Sequence, residues 1–190
     1  MKTLIQSLLM LLVFTVLTGV LYPLLMTGAA QVLFPKQANG SLVVNGGVTN
    51  GSLLIGQIFT NAGYFVCRPS WPGYDATNSG GFNYGPASSN QVSNVTDWVR
   101  TVRDREKLPA DYPLPADMVT ASASGLDPDI SVTNARIQAK RVAIARKLPE
   151  ADVIKLIDNT SEHAIFGFWG VEKVNVLKLN LALDRIDSNR

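Results

Sequence analysis

The sequence predicts an α+β protein: one N-terminal transmembrane helix, then a single domain with a small antiparallel sheet and several helices. Three observations predict it. Leu8 to Ala30 is uncharged and predominantly apolar. The roughly 160 residues beyond it suffice for one ordinary domain with a real core. Within them, strand-like and helix-like stretches come in blocks with few βαβ units, which argues for an antiparallel sheet with helices segregated from it.

At about 23 residues the apolar run can cross a bilayer as a helix with some tilt. Some fourteen strongly apolar residues favour insertion by on the order of 5 kcal/mol. Residues 1–7 form a short head whose positive charges are Lys2 and the α-amino group, predicting a cytoplasmic N-terminus and a translocated domain, 31–190. Tyr22, Phe34 and Lys36 are placed to anchor the exit interface. The rival reading is a signal peptide, cleaved after Gly28-Ala29-Ala30. Thr15 and Gly19 share a helical face, with Thr18 beside them, and residues this small let a second helix approach. Pro23 has no N–H for the Gly19 carbonyl and predicts a bend. A plain anchor that contains small residues is the alternative.

Gln37 to Ser70 is rich in Gly and Asn and poor in charge. Ser41 to Val44 and Leu53 to Ile55 read as paired strands joined by a turn at Asn45-Gly46-Gly47. Tyr64-Phe65-Val66 reads as a further strand, ended by Arg68-Pro69. Ser70 to Asn90 reads as a long loop in which Trp71, Tyr74, Phe82 and Tyr84 alternate with Gly, Ser, Asn and Pro. A loop near 20 residues without regular structure is uncommon in a compact domain unless functional. Its aromatics suit either a docking surface or a lid on the domain's own core.

Asn94 to Leu108 is predicted helical, with Asn94 as cap and the charge run from Arg100 to Lys107 as a solvated face. Pro109, Pro113 and Pro115 mark a stiff connector. Met118 to Ile130 alternates Ala and Ser without bulky side chains until Gly125, which permits close backbone approach and positive φ. A helix follows from about Thr133 to Leu148, capped by Thr133 or Asn134. Pro149 opens the next, with Val153, Ile154, Leu156 and Ile157 as its buried side. Phe166 to Trp169 and Val171 to Val176 suggest strand; Leu179, Leu183 and Ile186 suggest a last helix.

The net charge of +2 and the absence of a Lys/Arg cluster give no footing for nucleic acid. One Cys (Cys67) and one His (His163) exclude an internal disulfide and leave too few soft ligands for zinc. No G-x-S-x-G, S-x-x-K, G-x-x-x-x-G-K-[ST] or G-x-G-x-x-G occurs. His163 reads as a polar residue near a helix end. Cys67, beside Arg68, reads as a small buried residue or as a thiol of lowered pKa. Asp127 and Asp129, flanking a proline, read as turn and cap residues. Ser122, Ser124 and the amides near Gly125 can hold a phosphate, without a recognised loop motif.

A family resemblance adds what composition does not. Val119-Thr120-Ala121-Ser122-Ala123-Ser124-Gly125-Leu126-Asp127, with Ile130, Arg141-Val142-Ala143 and Ala145-Arg146, resembles the signature of the C subunit of Kdp-type bacterial potassium-transporting ATPases. Gly19-Val20, Tyr22-Pro23-Leu24-Leu25, Gln37 to Leu42, Arg68-Pro69-Ser70, Ser79-Gly80-Gly81 and Val174-Asn175-Val176 with Leu179 to Asp184 agree, in order, across almost the whole chain. The match departs at Val66-Cys67, between Trp71 and Asn78, and near Arg100 to Asp111. The resemblance implies a non-catalytic accessory subunit in the bacterial plasma membrane, with no cofactor of its own. Its implied partners are a P-type ATPase subunit, to which ATP belongs, and a channel-like subunit that binds potassium. It also implies a chaperone-like helper that raises the ATPase subunit's ATP affinity and serves assembly. Arg68, Ser70, Thr120, Asp127 and Arg141 are the motif positions; Thr15, Gly19, Pro23, Trp71, Tyr74, Phe82 and Tyr84 are the candidate partner contacts. The alternative is a membrane-anchored or secreted stand-alone binding domain or hydrolase.

Overall fold

The computed structural model describes residues 1–45 and 47–188. It divides into two compact units, Met1–Asn50 and Gly51–Arg190.

The first unit begins with α1 (Lys2–Val16), which runs through a π-helical turn (Leu17–Leu21) into α2 (Tyr22–Leu33). Together they form one helix long and apolar enough to cross a membrane, Lys2–Leu33, longer at both ends than the uncharged run. Its large side chains are exposed throughout. The π turn lies just before Pro23, where the missing N–H interrupts the ladder, and the Tyr22 N–H reaches back to the Leu17 carbonyl. Thr18 Oγ1 donates to the Phe14 carbonyl at 2.6 Å. The short α3 (Pro35–Ala38) follows a break at Phe34, and the Asn39 and Gln31 carboxamides meet at 3.3 Å. Strands β1 (Leu42–Asn45) and β2 (Val48–Ser52) then pair. The second strand therefore starts at Val48, not Leu53; Leu53 to Ile55 is turn and bend, and Leu54 N–H is held by Ser52 Oγ at 3.1 Å. Gly46, in the predicted turn, lies outside the described residues.

The second unit carries α4 (Ser89–Glu106), α5 (Ala116–Val119), β3 (Asp129–Ser131), α6 (Val132–Arg146), α7 (Glu150–Thr160), β4 (Lys173–Asn175) and α8 (Val176–Ser188). β3 and β4 are antiparallel, with Ile130 opposite Val174. Phe65, Ile130, Val142, Val153, Ile157, Val174, Leu179 and Leu183 form the main core. A second cluster, Val102, Met118 and Val119, is covered by Trp98, Leu114 and Ile137. The class is α+β, as predicted, with very little sheet.

Local chemistry explains the helix limits. The cap of α6 is Ser131, not Thr133 or Asn134: its Oγ accepts from Asn134 N–H at 3.1 Å. α4 begins after Ser88, five residues before the predicted start at Asn94. Both α4 and α6 end on a lysine in the left-handed region, Lys107 (φ 56) and Lys147 (φ 57). The next amide then closes back five residues, Leu108 to Arg103 at 3.0 Å and Leu148 to Ala143 at 2.9 Å. The buried side of α7 is as predicted, with Val153 and Ile157 inside and Ile154 and Leu156 packed on the core.

Candidate functional site

The stretch Asn61–Arg68 is not a strand. It runs through the core of the second unit without a ladder partner, and helix side chains supply its hydrogen bonds. Asn180 of α8 makes a two-bond pair with the Phe65 peptide: Phe65 N–H donates to Oδ1 at 2.8 Å and Nδ2 donates to Phe65 O at 3.0 Å. Gln138 of α6 does the same with Val66, at 2.9 and 3.1 Å. A primary carboxamide has the donor and acceptor of a peptide bond, so each substitutes for a neighbouring strand. Burial makes this arrangement costly to break, because the peptide groups have no water to fall back on.

The pairing extends outward in both directions. Gln138 Nε2 donates to Asn134 Oδ1 at 2.8 Å, Asn134 Nδ2 donates to Asp117 at 2.9 Å, and Asp117 also accepts from Ser131 N–H and Oγ at 2.8 and 3.0 Å. On the other side Arg141 donates to Gln138 Oε1 at 2.9 Å, to the carbonyls of Ala62 and Tyr64, and to both oxygens of Glu106 at 3.0 and 3.1 Å. The Glu106 side chain is fully buried and also accepts from Arg105 Nε at 2.7 Å. Glu106, within the predicted solvated charge run, is therefore buried, while Lys107 beside it is exposed. Arg146 covers the remaining edge, donating to Gly63 O at 2.6 Å and Asp184 at 2.8 Å, with its guanidinium 4.5 Å from the Tyr64 ring centre.

The Ser-Ala-Ser-Gly loop is a backbone junction. Gly125 sits at φ +67, and a Cβ there would lie 2.3 Å from Pro72 Cδ and 2.8 Å from the Gly80 carbonyl. Ser70 Oγ donates to Gly125 O at 2.7 Å and accepts from Tyr74 N–H at 2.8 Å. Gly80 N–H and Ser79 Oγ both donate to Ser124 O, at 2.9 and 3.0 Å. The two halves of the motif thus fasten the start of the aromatic loop. Tyr74 packs against the main core and donates to the Arg68 carbonyl, and burial raises its phenol. Phe82 stacks 5.4 Å from Tyr84 and meets Trp98 of α4 at a tilt, with ring centres 5.6 Å apart. Trp71 and Tyr84 are exposed. Two aromatics fold back and two face outward.

Two amides of this loop are turned back into it. Gly125 N–H turns back to Ser122 O at 3.3 Å, and Leu126 N–H goes to Ser124 Oγ at 3.2 Å. Arg68, the nearest motif cation, is paired with Asp127 at 3.0 Å. Beside it, a cleft of about 610 Å³ is lined by Arg68, Asp117, Asp127, Asp129, Ser131 and Lys173. Its carboxylates are engaged: Asp129 with Lys173 Nζ at 2.6 Å, which raises the lysine, and Asp127 with Asp129 N–H at 3.1 Å as the turn residue foreseen. Among the described residues no group of three or more His, Cys, Asp or Glu is placed to hold a metal. Cys67 is buried, and burial pushes its thiol up to about 12, opposite to the lowering that Arg68 suggested. His163 is exposed, with Nδ1 2.9 Å from Glu172.

Arg68, Ser70, Thr120, Ser122, Ser124, Gly125 and Asp127 therefore gather at one junction: Arg68 also approaches the Thr120 carbonyl at 3.5 Å, and the Ser122 and Ser124 hydroxyls lie 3.5 Å apart. Arg141 belongs to the carboxamide network instead. Thr15, Gly19 and Pro23 lie on the exposed apolar helix of the other unit. Asn134, Gln138, Asn180 and Glu106 are the residues that sequence reasoning missed. The available signal was polar residues inside apolar helical stripes, Asn180 between Leu179 and Leu183 above all.

Residues 4–185 match the family described as KdpC: K+-transporting ATPase, c chain. A relative from Mycobacterium tuberculosis (strain H37Rv), the potassium-transporting ATPase KdpC subunit, is 49% identical over 187 residues, covering 97% of this chain and 99% of its own. The KdpC subunit of Caulobacter vibrioides is 51% identical over 177 residues, 90% of this chain and 87% of its own. That of Rhodospirillum rubrum is 48% identical over 187 residues, 97% and 96%.

Proposed function

The chain belongs to the KdpC family, the c chain of the K+-transporting ATPases, and from that premise we propose that it is an accessory, non-catalytic subunit of a potassium pump. What carries this function is a match that runs through the apolar helix and the domain alike, over 97% of the chain. The apolar helix anchors the subunit in the plasma membrane, N-terminus inside and domain outside, as the positive head favours. The partners are an ATPase subunit and a channel-like, potassium-binding subunit. Docking uses the outward aromatics Trp71 and Tyr84 on a loop held by Tyr74 and Phe82, and the Thr15, Gly19 and Pro23 face of the span.

The helper role on ATP affinity follows the same premise. With the domain outside, its influence on a cytoplasmic nucleotide passes through the span or the partner subunits, as a coupling between separate sites. Direct contact through Ser122, Ser124 and Gly125 is disfavoured by their internal hydrogen bonds. Ser124→Ala should leave the apparent ATP affinity of the assembled pump unchanged; a loss of affinity with intact assembly would restore direct contact.

The deciding experiment is co-purification from membranes in mild detergent through a C-terminal tag. Recovery of a P-type ATPase chain and a multi-span potassium-binding chain is the expected result. Elution of this chain alone would turn the reading toward a stand-alone domain. Deletion of Trp71 to Tyr84 should release the subunit from its partners, and retention would count against the loop as the docking surface.

A further inference from the structure

Between α7 and β4 the chain makes a narrow excursion with a polar neck. Glu162 and Lys173 exchange both backbone hydrogen bonds, at 2.8 and 3.1 Å, and His163 meets Glu172 beside them. Beyond the neck, Ala164 to Val171 contains no ionisable side chain. Ile165, Phe166, Phe168, Trp169 and Val171 are each between 63% and 83% exposed. Soluble surfaces scatter such residues singly, whereas here they are contiguous. This is not the strand that Phe166 to Trp169 suggests in sequence. It is a tight turn, with φ +56 at Phe166 and +79 at Gly167.

The backbone of the tip indicates what covers it. Ile165 and Trp169 exchange N–H···O bonds at 2.9 Å in each direction, Gly167 N–H donates to Ala164 O at 3.0 Å, and Phe168 N–H donates to Ile165 O at 3.4 Å. Internal bonds to these four amides lower the cost of approaching an apolar phase, because hydrocarbon offers a backbone group no partner. Trp169, paired with Ile165 at the base of the turn, has the apolar body and single donor that suit the boundary between headgroups and acyl chains. The tether points the same way: residues 34–50 join the domain to the apolar helix and, even fully extended, span at most about 60 Å.

We propose that Ala164–Val171 is a second membrane contact, seated at the headgroup–acyl boundary of the bilayer that holds the N-terminal helix. It rests on that helix being in the membrane. The test uses the full chain in phosphatidylcholine nanodiscs, with Trp71→Phe and Trp98→Phe leaving Trp169 as the only indole. Lipids brominated near the headgroup end of the acyl chain should cut Trp169 emission by about two-fold, and lipids brominated near the terminal methyl should do less. Phe166→Ser with Phe168→Ser should abolish most of that quenching while the chain still co-elutes with the discs. A chain retained by the discs with Trp169 unquenched overturns the tip and leaves the anchor standing. A chain that elutes free of lipid overturns both. Quenching absent in lipid, with Trp169 shielded only when the partner subunits are present, overturns the bilayer in favour of a protein contact.

Discussion

Asn61–Arg68 and Ala164–Val171 are similar in composition and opposite in fate. Each puts aromatic and branched apolar residues around a glycine, and each reads as strand. The first is buried at Gly63, Phe65 and Cys67, and its peptide groups are paired with carboxamides and guanidiniums from α6 and α8, as at Asn180 and Gln138. The second bonds the Ile165, Gly167, Phe168 and Trp169 amides within its own turn and leaves its large side chains exposed. The difference lies in what comes from far away in sequence. Phe65 meets Asn180 across 115 positions, while the tip bonds only its neighbours. A buried segment without a ladder is stable only because distant residues replace the ladder.

Removing Arg141 breaks this contrast hardest. Arg141→Met leaves the buried Glu106 with Arg105 alone and strips donors from the Ala62 and Tyr64 carbonyls. The expected loss is about 3–5 kcal/mol, the range for a broken buried pair. Cys67 reports it. It is the sole cysteine, it lies within the segment, and burial holds its thiol up to about 12 against an ordinary value of 9.0. Near pH 8 it should resist a thiol reagent in the parent and react rapidly in the variant, whose opened segment restores ordinary acidity. Parent-like labelling would show that the clamp does not hold the segment.

Asn180→Leu tests one carboxamide by itself. Leucine fills similar space but leaves the Phe65 N–H and C=O without partners, for about 2–3 kcal/mol. Asn180→Asp should recover none of this near neutral pH, since its carboxylate still accepts the Phe65 N–H but buries a charge and sets its other oxygen against the Phe65 carbonyl. Denaturant midpoints in detergent, read through Cys67, order the three chains. Equal midpoints for leucine and asparagine would mean that the pairing adds nothing net.

What was legible in the sequence follows the same division. The apolar helix, the buried side of α7, the positive φ at Gly125 and the turn role of Asp127 rest on local signals: period, proline, glycine and Asx chemistry. The gathering of Arg68 and Ser70 with the Thr120–Asp127 loop was visible only as a shared family motif, and the contacts explain it. The core roles of Asn134, Gln138, Asn180 and Glu106 were not legible, because a polar residue on a helix is ordinarily assigned to solvent. Glu106 stands at the end of a charge run, and only the fold brings Arg141 to it. Strand β2 was misplaced because Leu53 to Ile55 is more apolar than Val48 to Ser52, and apolar runs dominate strand prediction.

Gly125→Ala probes an intermediate case, a loop fastened by backbone amides and serine hydroxyls. Its Cβ would meet Pro72 and the Gly80 carbonyl, at a φ of +67, for about 1–3 kcal/mol. The strain falls on the junction with the aromatic loop. Limited proteolysis should therefore cut between Ser70 and Asn90 well before global unfolding. Cleavage unchanged from the parent would mean that the loop is held elsewhere, by the Phe82–Trp98 contact first.

The tip should give the smallest change of all. Its side chains are already in contact with solvent in the isolated domain, so Phe166→Ser with Phe168→Ser removes little packing beyond one ring pair with centres 6.4 Å apart. The expected effect on unfolding is within about 0.5 kcal/mol, as for surface substitutions generally. Two phenylalanines lost without cost to the fold would mean that the sequence keeps them for something outside the domain. A loss well above 1 kcal/mol would instead place the tip among the contacts that hold the domain together, and the contrast with Asn61–Arg68 would disappear.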